Sequence, residues 1–219
     1  MGTSQRRLSV VITAWSGTQN LRDMLLALCQ QVRPMCDELI VSEDSDTVER
    51  GILELCDKYN VHSRYGHARN LVVGLKMATM DFIALLDSDI TITQGSLRDL
   101  CIPGKIVSPG LKGWFMVGPR ELLVEFPPFE NNHHIEGIDN WWMELQKRYQ
   151  VVSSKAVTYH HAFNQTASEL SRWKRLQEIE YATLHPSKEI DPQRHKARLT
   201  EDPLYATLWS DEKARSAQG

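Results

Sequence analysis

Apolar runs of strand length alternate with amphipathic segments through the first part of the chain. Strands are predicted at 8–14, 38–42, 61–65 and 81–86, where β-branched and other apolar residues cluster. After each of the first three, apolar residues recur at helical spacing: Leu21, Met24, Leu25 and Leu28; Val48, Ile52, Leu55 and Cys56; Leu71, Val72, Leu75 and Met77. Strands that alternate with helices favour an α/β fold, with a mostly parallel sheet that carries helices on both faces.

The pattern changes after Pro103 to short segments rich in Gly and Pro. Two strands, a helix, a third strand and a final helix are predicted there in that order: 106–109, 114–117, 136–149, 156–160 and 168–184. In the first of these helices Ile138, Trp142 and Leu145 are expected to face inward. Beyond 185 no sustained period is visible, so a lightly packed tail is predicted.

Composition and charge narrow the possible classes of protein. Hydrophobic residues make up 42% and charged residues 24% of 219 residues, which is typical of one globular domain. The formal net charge of −3 provides no general attraction to nucleic acids. No apolar run approaches the roughly 20 residues of a membrane span, and Met1–Arg7 lacks the features of a secretory signal. We therefore expect a cytoplasmic protein without stable membrane insertion.

The cysteines give no sign of a metal or disulfide framework. They lack C-x-x-C spacing, and most fall in apolar helical or helix-flanking positions: Cys29, Cys36, Cys56 and Cys101. Buried free thiols are the expected state.

Polar clusters follow three of the predicted strands, at Thr13–Trp15, Glu43–Asp44 and Asp87–Asp89. Ligands of open α/β sheets bind at the carboxyl ends of the strands, so these clusters are expected to share one cleft. Asp87 and Asp89 leave a buried strand and offer the oxygen ligands that Mg²⁺ or Mn²⁺ prefers. An Asp-x-Asp alone is also compatible with a solvated turn that caps a helix.

Four pieces of sequence, taken in order, narrow these possibilities: LSVVITAW, ELIVSEDSDT, GHARNLVVGLKMA and DFIALLDSDI. Together they resemble the nucleotide-binding half of inverting family 2 glycosyltransferases with the GT-A fold. Two departures are visible, since Ala14-Trp15-Ser16 replaces the family's usual proline and Asn, and the acidic loop after 42 lacks its usual glycine.

The resemblance implies a Rossmann-like, mostly parallel sheet flanked by helices, with a smaller mixed acceptor-side region and a C-terminal helix. We accordingly predict one catalytic domain at 1–165, with a nucleotide-binding half at 8–90 and an acceptor half at 91–165. A C-terminal helix and tail would occupy 166–219.

The resemblance also implies a set of donor-binding residues: Thr13, Trp15, Glu43, Asp44, Arg69, Asp87 and Ser88. Asp44 would face the nucleobase with Glu43 beside it, although Glu43 could instead belong to an acidic loop that caps the next helix. Arg69, near a predicted helix start, could reach the donor phosphates or form a bidentate pair with the acidic loop.

An inverting transfer needs a base that takes the proton of the acceptor hydroxyl. EGIDNWW resembles a degenerate form of the family's second acidic motif, so Asp139 is the first candidate base and Glu136 the second. Glu136 could otherwise sit near a helix N-terminus only to offset the helix dipole. Trp141 and Trp142 are candidate acceptor-binding residues, although Trp142 could equally be a core residue.

A late histidine can complete the metal coordination in the family that the chain resembles. His160 is the first candidate ligand and His161 the second, and an imidazole ligand suits Mn²⁺ somewhat better than Mg²⁺. His133-His134 precedes Glu136 in a loop without a clear third zinc ligand, so a loop that closes over the donor is expected there.

The resulting hypothesis is a metal-dependent, hexosyltransferase-type enzyme that uses a nucleotide sugar. A UDP-sugar is the first expectation and a GDP-sugar the second, with a saccharide, protein, lipid carrier or modified nucleobase as the acceptor. A sugar-phosphate nucleotidyltransferase is disfavoured because 15–18 is a poor glycine-rich loop. A non-catalytic nucleotide-sugar-binding module also remains open, as does the oligomeric state.

Overall fold

A computed structural model describes residues 6–62, 66–125, 135–162, 199–203, 205–207 and 209–210. For residues 66, 68, 69 and 135–140 the description covers the backbone alone. The predicted helix at 168–184 and the His133-His134 loop lie outside the described residues.

Strands and helices alternate along the described chain as the apolar pattern predicts. The strands are β1 (Leu8–Trp15), β2 (Glu38–Asp44), β3 (Lys58–His62), β4 (Phe82–Asp87), β5 (Ile90–Gln94), β6 (Ile106–Val107), β7 (Phe115–Pro119), β8 (Val151–Val152) and β9 (Thr158–His161). The helices are α1 (Gln19–Val32), α2 (Arg50–Leu53), α3 (Gly66–Met77), α4 (Arg120–Glu125) and α5 (Ile135–Arg148). Short 3-10 turns cover Arg33–Met35 and Leu97–Leu100.

The main sheet has the strand order β3-β2-β1-β4-β7-β6-β8. β1 to β4 run parallel to one another, whereas β7 lies antiparallel between β4 and β6. β8 pairs in parallel with β6. Outside this sheet β5 and β9 form an antiparallel pair, which joins the chain just after β4 to the end of the second half.

The central strands alternate their side chains between two apolar layers, as expected of a sheet covered on both faces. In β1, Val10 and Ile12 lie in one buried cluster with α1, whereas Val11 lies in the other with Leu71 and Leu75 of α3. α3 approaches β1 closely at Gly74, where a Cβ would stand 2.5 Å from Val11 Cγ1. Glycine is therefore required at this crossing.

Several boundaries differ from the sequence prediction. β2 continues through Glu43 and Asp44, so these two residues belong to a buried strand rather than to an acidic loop. β3 begins at Lys58, before the predicted start at Val61, and α2 is a single turn that leaves Val48 59% exposed. The segment of apolar residues around α2 is too short to sustain a longer amphipathic helix.

The thiols are free, with Cys29 and Cys101 buried and Cys36 and Cys56 half-buried. Burial raises the pKa of Cys101 to about 11, so this thiol is protonated near neutral pH. In the described part of the tail, Tyr205 is buried against Leu199 and Trp209. Within the described residues, no helix has the length and apolar character that a membrane span requires.

Candidate metal and nucleotide site

The carboxyl ends of β1, β2 and β4 meet at one edge of the sheet. Thr13 stands opposite Asp87 of β4 on one side and Ser42 of β2 on the other, and Trp15 stands opposite Asp44. The three polar clusters are thus adjacent because the strands are parallel and in register. This edge also receives the N-terminus of α3, which follows β3.

Asp87, Asp89 and His161 bring their ligand atoms together at this edge. One ligand atom from each lies within 4.8 Å of the others, and His161 Nε2 is 3.1 Å from Asp89 Oδ1. The pairing of β5 with β9 produces this arrangement, because it sets His161 opposite Ile90 and lets Ala162 N donate to Asp89 O at 3.0 Å.

The histidine in this group is His161, whereas the sequence favoured His160. The two residues are neighbours on a strand, so their side chains point to opposite faces. His160 is paired with Thr91, and both are exposed. Strand register, which the local sequence does not reveal, therefore decides between the two histidines.

The group has the chemistry of a site for Mn²⁺ or Mg²⁺. Neighbouring ligands around an octahedral ion at about 2.1 Å are separated by about 3 Å, close to the distance between His161 Nε2 and Asp89 Oδ1. Two carboxylates and one imidazole suit a hard or borderline cation. Asp89 is only 3% exposed, so a cation would also compensate a largely buried charge.

His67 joins the same site, although no sequence pattern marks it as a site residue. Its Nε2 lies 3.0 Å from Thr13 Oγ1 and 3.4 Å from Asp87 Oδ1. The first turn of α3 therefore contacts both the end of β1 and a candidate ligand. The GHARN piece places His67 at this edge, but no periodicity shows which way the imidazole turns.

Glu43 is fully buried, and its carboxylate is used inside the protein. Its oxygens accept hydrogen bonds from the hydroxyls of Ser16 and Tyr59. Burial raises the pKa of Glu43 despite these donors. Glu43 therefore holds the segment after β1 against β2 and β3, which leaves no open carboxylate for the donor contact expected from the sequence.

The Asn of the GHARN piece also has a structural role. Asn70 is fully buried, accepts from Ser42 Oγ at 3.2 Å and donates to Ala14 O at 3.4 Å. It therefore ties α3 to the ends of β1 and β2. The side chain of Arg69 lies outside the described residues.

Trp15 and Asp44 border the edge beside the metal group. Trp15 is half-buried and its ring lies against Gly17, where a Cβ would stand 2.2 Å from Cζ2 of the indole. Gly17 thus leaves room for the ring at the end of β1. Asp44 is 5% exposed and Ser88 is 8% exposed, so the edge presents little of either residue before a ligand binds.

The candidate acceptor side lies on α5. Asp139 and Glu136 are within this helix, but their side chains lie outside the described residues. Trp141 is 3% exposed in the core, so it offers no open ring face for the expected acceptor contact. Trp142, predicted to face inward, is only half-buried, and its Cγ would stand 3.3 Å from a Cβ at Gly113.

Comparison with known proteins shows which proteins this chain is similar to. Residues 9–101 match the family model described as glycosyl transferase family 2. No curated protein sequence matches the chain.

Two solved structures illustrate the similarity of fold. Glucosyl-3-phosphoglycerate synthase from Mycobacterium tuberculosis, in complex with Mn²⁺, UDP-glucose and phosphoglyceric acid, gives a TM-score of 0.56 at 17% identity, over 83% of this chain and 79% of its own. TarS from S. aureus, residues 1–349, gives 0.51 at 15% identity, over 90% and 72%. Identities this low establish a shared fold alone. The chain therefore has a mostly parallel α/β sheet of the GT-A type, and its residues 9–101 are similar to glycosyl transferase family 2.

Proposed function

We propose that this protein transfers a sugar from a UDP-sugar to a hydroxyl acceptor with inversion at the anomeric carbon, with Mn²⁺ or Mg²⁺ at Asp87, Asp89 and His161. The observation that carries the proposal is the convergence of these ligand atoms within 4.8 Å at the carboxyl edge of the sheet. The mycobacterial synthase of similar fold was crystallised with Mn²⁺ and UDP-glucose, which supports the choice of cation and donor.

The residues around the group have distinct proposed tasks. Thr13 and His67 orient Asp87 through the contacts of the His67 imidazole. Trp15 and Asp44, paired at the ends of β1 and β2, border the base and ribose. The donor phosphates are assigned to the N-terminus of α3, since helix N-termini attract anions, and Arg69 is the candidate side chain for the same contact. A bound cation would neutralise the charge that develops on the departing diphosphate.

Two carboxylates of α5 are the proposed bases for the acceptor hydroxyl. Asp139 is the first choice and Glu136 the second, on the strength of the EGIDNWW motif and the position of α5 in the second half of the chain. The acceptor hydroxyl would lose its proton to this carboxylate as it attacks the anomeric carbon, so the proton and the leaving diphosphate depart on opposite sides.

The proposal is tested by thermal shift with UDP, with and without Mn²⁺. A ligand at about 100 times its Kd stabilises the folded state by about 2.7 kcal/mol, which raises the Tm of a protein of this size by roughly 5–10 °C. We expect this shift for UDP with Mn²⁺ in the unmodified protein, and its loss in Asp89→Asn.

Asp81→Asn is the matched control. Asp81 precedes β4 at its amino end, where it pairs with Arg7 at 3.2 Å, so the change removes a carboxylate from the opposite edge of the sheet. It should retain the full shift. A thermal shift with UDP that is the same with and without Mn²⁺, and the same in Asp89→Asn, would overturn the metal assignment. Failure of the unmodified protein to release UDP from any UDP-sugar, despite binding, would favour a non-catalytic module.

A further inference from the structure

Trp114 contacts the candidate metal group from two sides. It immediately precedes β7, and its carbonyl oxygen accepts a hydrogen bond from Asp87 N at 3.1 Å. Its indole stacks on the imidazole of His161, with ring centroids 4.8 Å apart and an interplanar angle of 29°. One residue therefore fixes the backbone at the first carboxylate and the ring plane of the histidine.

The indole N–H does not explain why a tryptophan occupies this position. Trp114 Nε1 is buried, and no acceptor for it exists among the described residues. A buried donor without a partner costs about 1–3 kcal/mol, a cost that phenylalanine would avoid. The part of Trp114 that acts on its surroundings is therefore the aromatic face, which packs on His161 and has Lys112 Nζ 5.4 Å from its centroid.

The 108–114 loop, between β6 and β7, holds Trp114 in place. Ser108 Oγ accepts from Lys112 N and donates to Lys112 O, both at 2.8 Å. Leu111 adopts a left-handed backbone conformation with φ of 56° although it is 46% exposed. Such a conformation costs a bulky residue about 1–3 kcal/mol and persists only where surrounding contacts enforce it.

The same loop is fastened to β9, the strand that carries His161. Tyr159 OH donates to Pro109 O at 3.2 Å, and the Tyr159 ring packs edge-on against Phe115 at a centroid distance of 5.0 Å. Loop and strand are thus joined on both sides of the Trp114–His161 stack. The relative position of the two rings is consequently determined by several independent contacts.

We propose that Trp114 is a positioning residue that sets the orientation of the His161 imidazole toward the cation. The inference rests on the proposed function, because it assumes that Asp87, Asp89 and His161 bind a metal ion. Metal-binding histidines depend on neighbouring groups that fix the ring, and loss of such a group typically costs about 10–100-fold in metal affinity. Here the stack of Trp114 on the His161 imidazole is such a neighbouring contact.

The test is Mn²⁺ binding to the full chain, measured from the electron paramagnetic resonance signal of free Mn²⁺. Trp114→Leu removes the ring, and we expect it to weaken Mn²⁺ binding by about tenfold. Trp114→Phe keeps an aromatic face and removes the unpaired donor, so it should bind Mn²⁺ as the unmodified protein does. Trp209→Phe, in the tail cluster with Tyr205, is the control for loss of a tryptophan elsewhere.

The outcomes separate this inference from the proposed function. If the unmodified protein does not bind Mn²⁺, the proposed function fails. If it binds and Trp114→Leu binds equally well, the positioning role alone is wrong. Melting curves without metal show whether a loss of affinity results from a loss of folding. In that case the Mn²⁺ affinities of Trp114→Phe and Trp114→Leu would fall in proportion to the decrease in their Tm values.

A second measurement does not depend on the folding of Trp114→Leu. In protein labelled with 5-fluorotryptophan, the ¹⁹F resonance of Trp114 is assigned by its absence in Trp114→Phe. Mn²⁺ should broaden that resonance, because the Trp114 ring stacks on the proposed ligand His161. A Trp114 resonance that stays sharp at saturating Mn²⁺ would place the ion elsewhere and refute the inference.

Discussion

Tyr59→Phe probes the buried carboxylate that holds the end of β1 beside the proposed donor site. Glu43 is fully buried, and the change deletes one of the hydroxyls that donate to it while it leaves the phenyl ring in place. A buried charged acceptor that loses a donor costs about 1–3 kcal/mol. For a chain of this length that corresponds to a fall in Tm of roughly 2–12 °C.

The loss of stability in Tyr59→Phe should depend on pH, because the Tyr59 hydroxyl stabilises the ionised form of Glu43. Burial raises the pKa of Glu43 above its ordinary 4.5 in the folded state, so its contribution to stability is fully present below pH 4.5 and declines as pH rises through the folded pKa. Without the Tyr59 donor that pKa rises further. The difference in unfolding free energy between Tyr59→Phe and the unmodified protein should therefore grow between pH 5 and pH 8.

Urea denaturation at pH 5 and pH 8 measures this difference directly. Tyr149→Phe is the matched control, since Tyr149 is half-buried and no hydrogen bond of its hydroxyl occurs within the described part of the chain. The unfolding free energy of Tyr149→Phe should differ little from that of the unmodified protein at either pH. An equal loss for Tyr59→Phe at both pH values, or no loss at all, would refute the linkage between Tyr59 and the Glu43 charge.

Two further predictions concern the metal group and the base. Gly95→Ala places a Cβ 2.1 Å from Ala156 O at a φ of +90°, so it should displace β9 from β5 and weaken Mn²⁺ binding. The control is Gly104→Ala, which has a φ of +70° and nothing within 4 Å of the added Cβ, so it imposes backbone strain alone. Its Mn²⁺ affinity should be unchanged in the same titration. Asp139→Asn should lower kcat with a UDP-sugar by about 10²–10⁴-fold, the usual contribution of a general base, with little change in UDP binding. A larger loss in Glu136→Gln than in Asp139→Asn would reverse the two roles.

The sequence predicted the parts of the fold that depend on local apolar pattern. Periodicity correctly predicted β1, α1, α3 and β4, because residues close together in the sequence, such as Val10, Val11 and Ile12, form their buried faces. The antiparallel insertion of β7 beside β4 depends instead on pairing between segments remote in the chain. Periodicity carries no information on such pairing.

The candidate site shows the same division. Asp87 and Asp89 could be selected because they leave a central strand, whereas the choice of His161 over His160 depends on the register of β9 against β5. Glu43 looked like a loop residue because an acidic run is usually exposed, yet Ser16 and Tyr59 make its burial possible. Those partners come from two other elements, so no local pattern could reveal them.

The pairing of β5 with β9 has a consequence for how the protein matures on the ribosome. The two proposed acidic ligands, Asp87 and Asp89, leave the exit tunnel well before His161 does, and synthesis proceeds at about 5–20 residues per second. A nascent chain that has reached only the first half would hold the proposed cation weakly, through carboxylates alone. Full affinity would arise only when β9 pairs with β5, so cation binding would report that the chain through His161 has been synthesised and has folded.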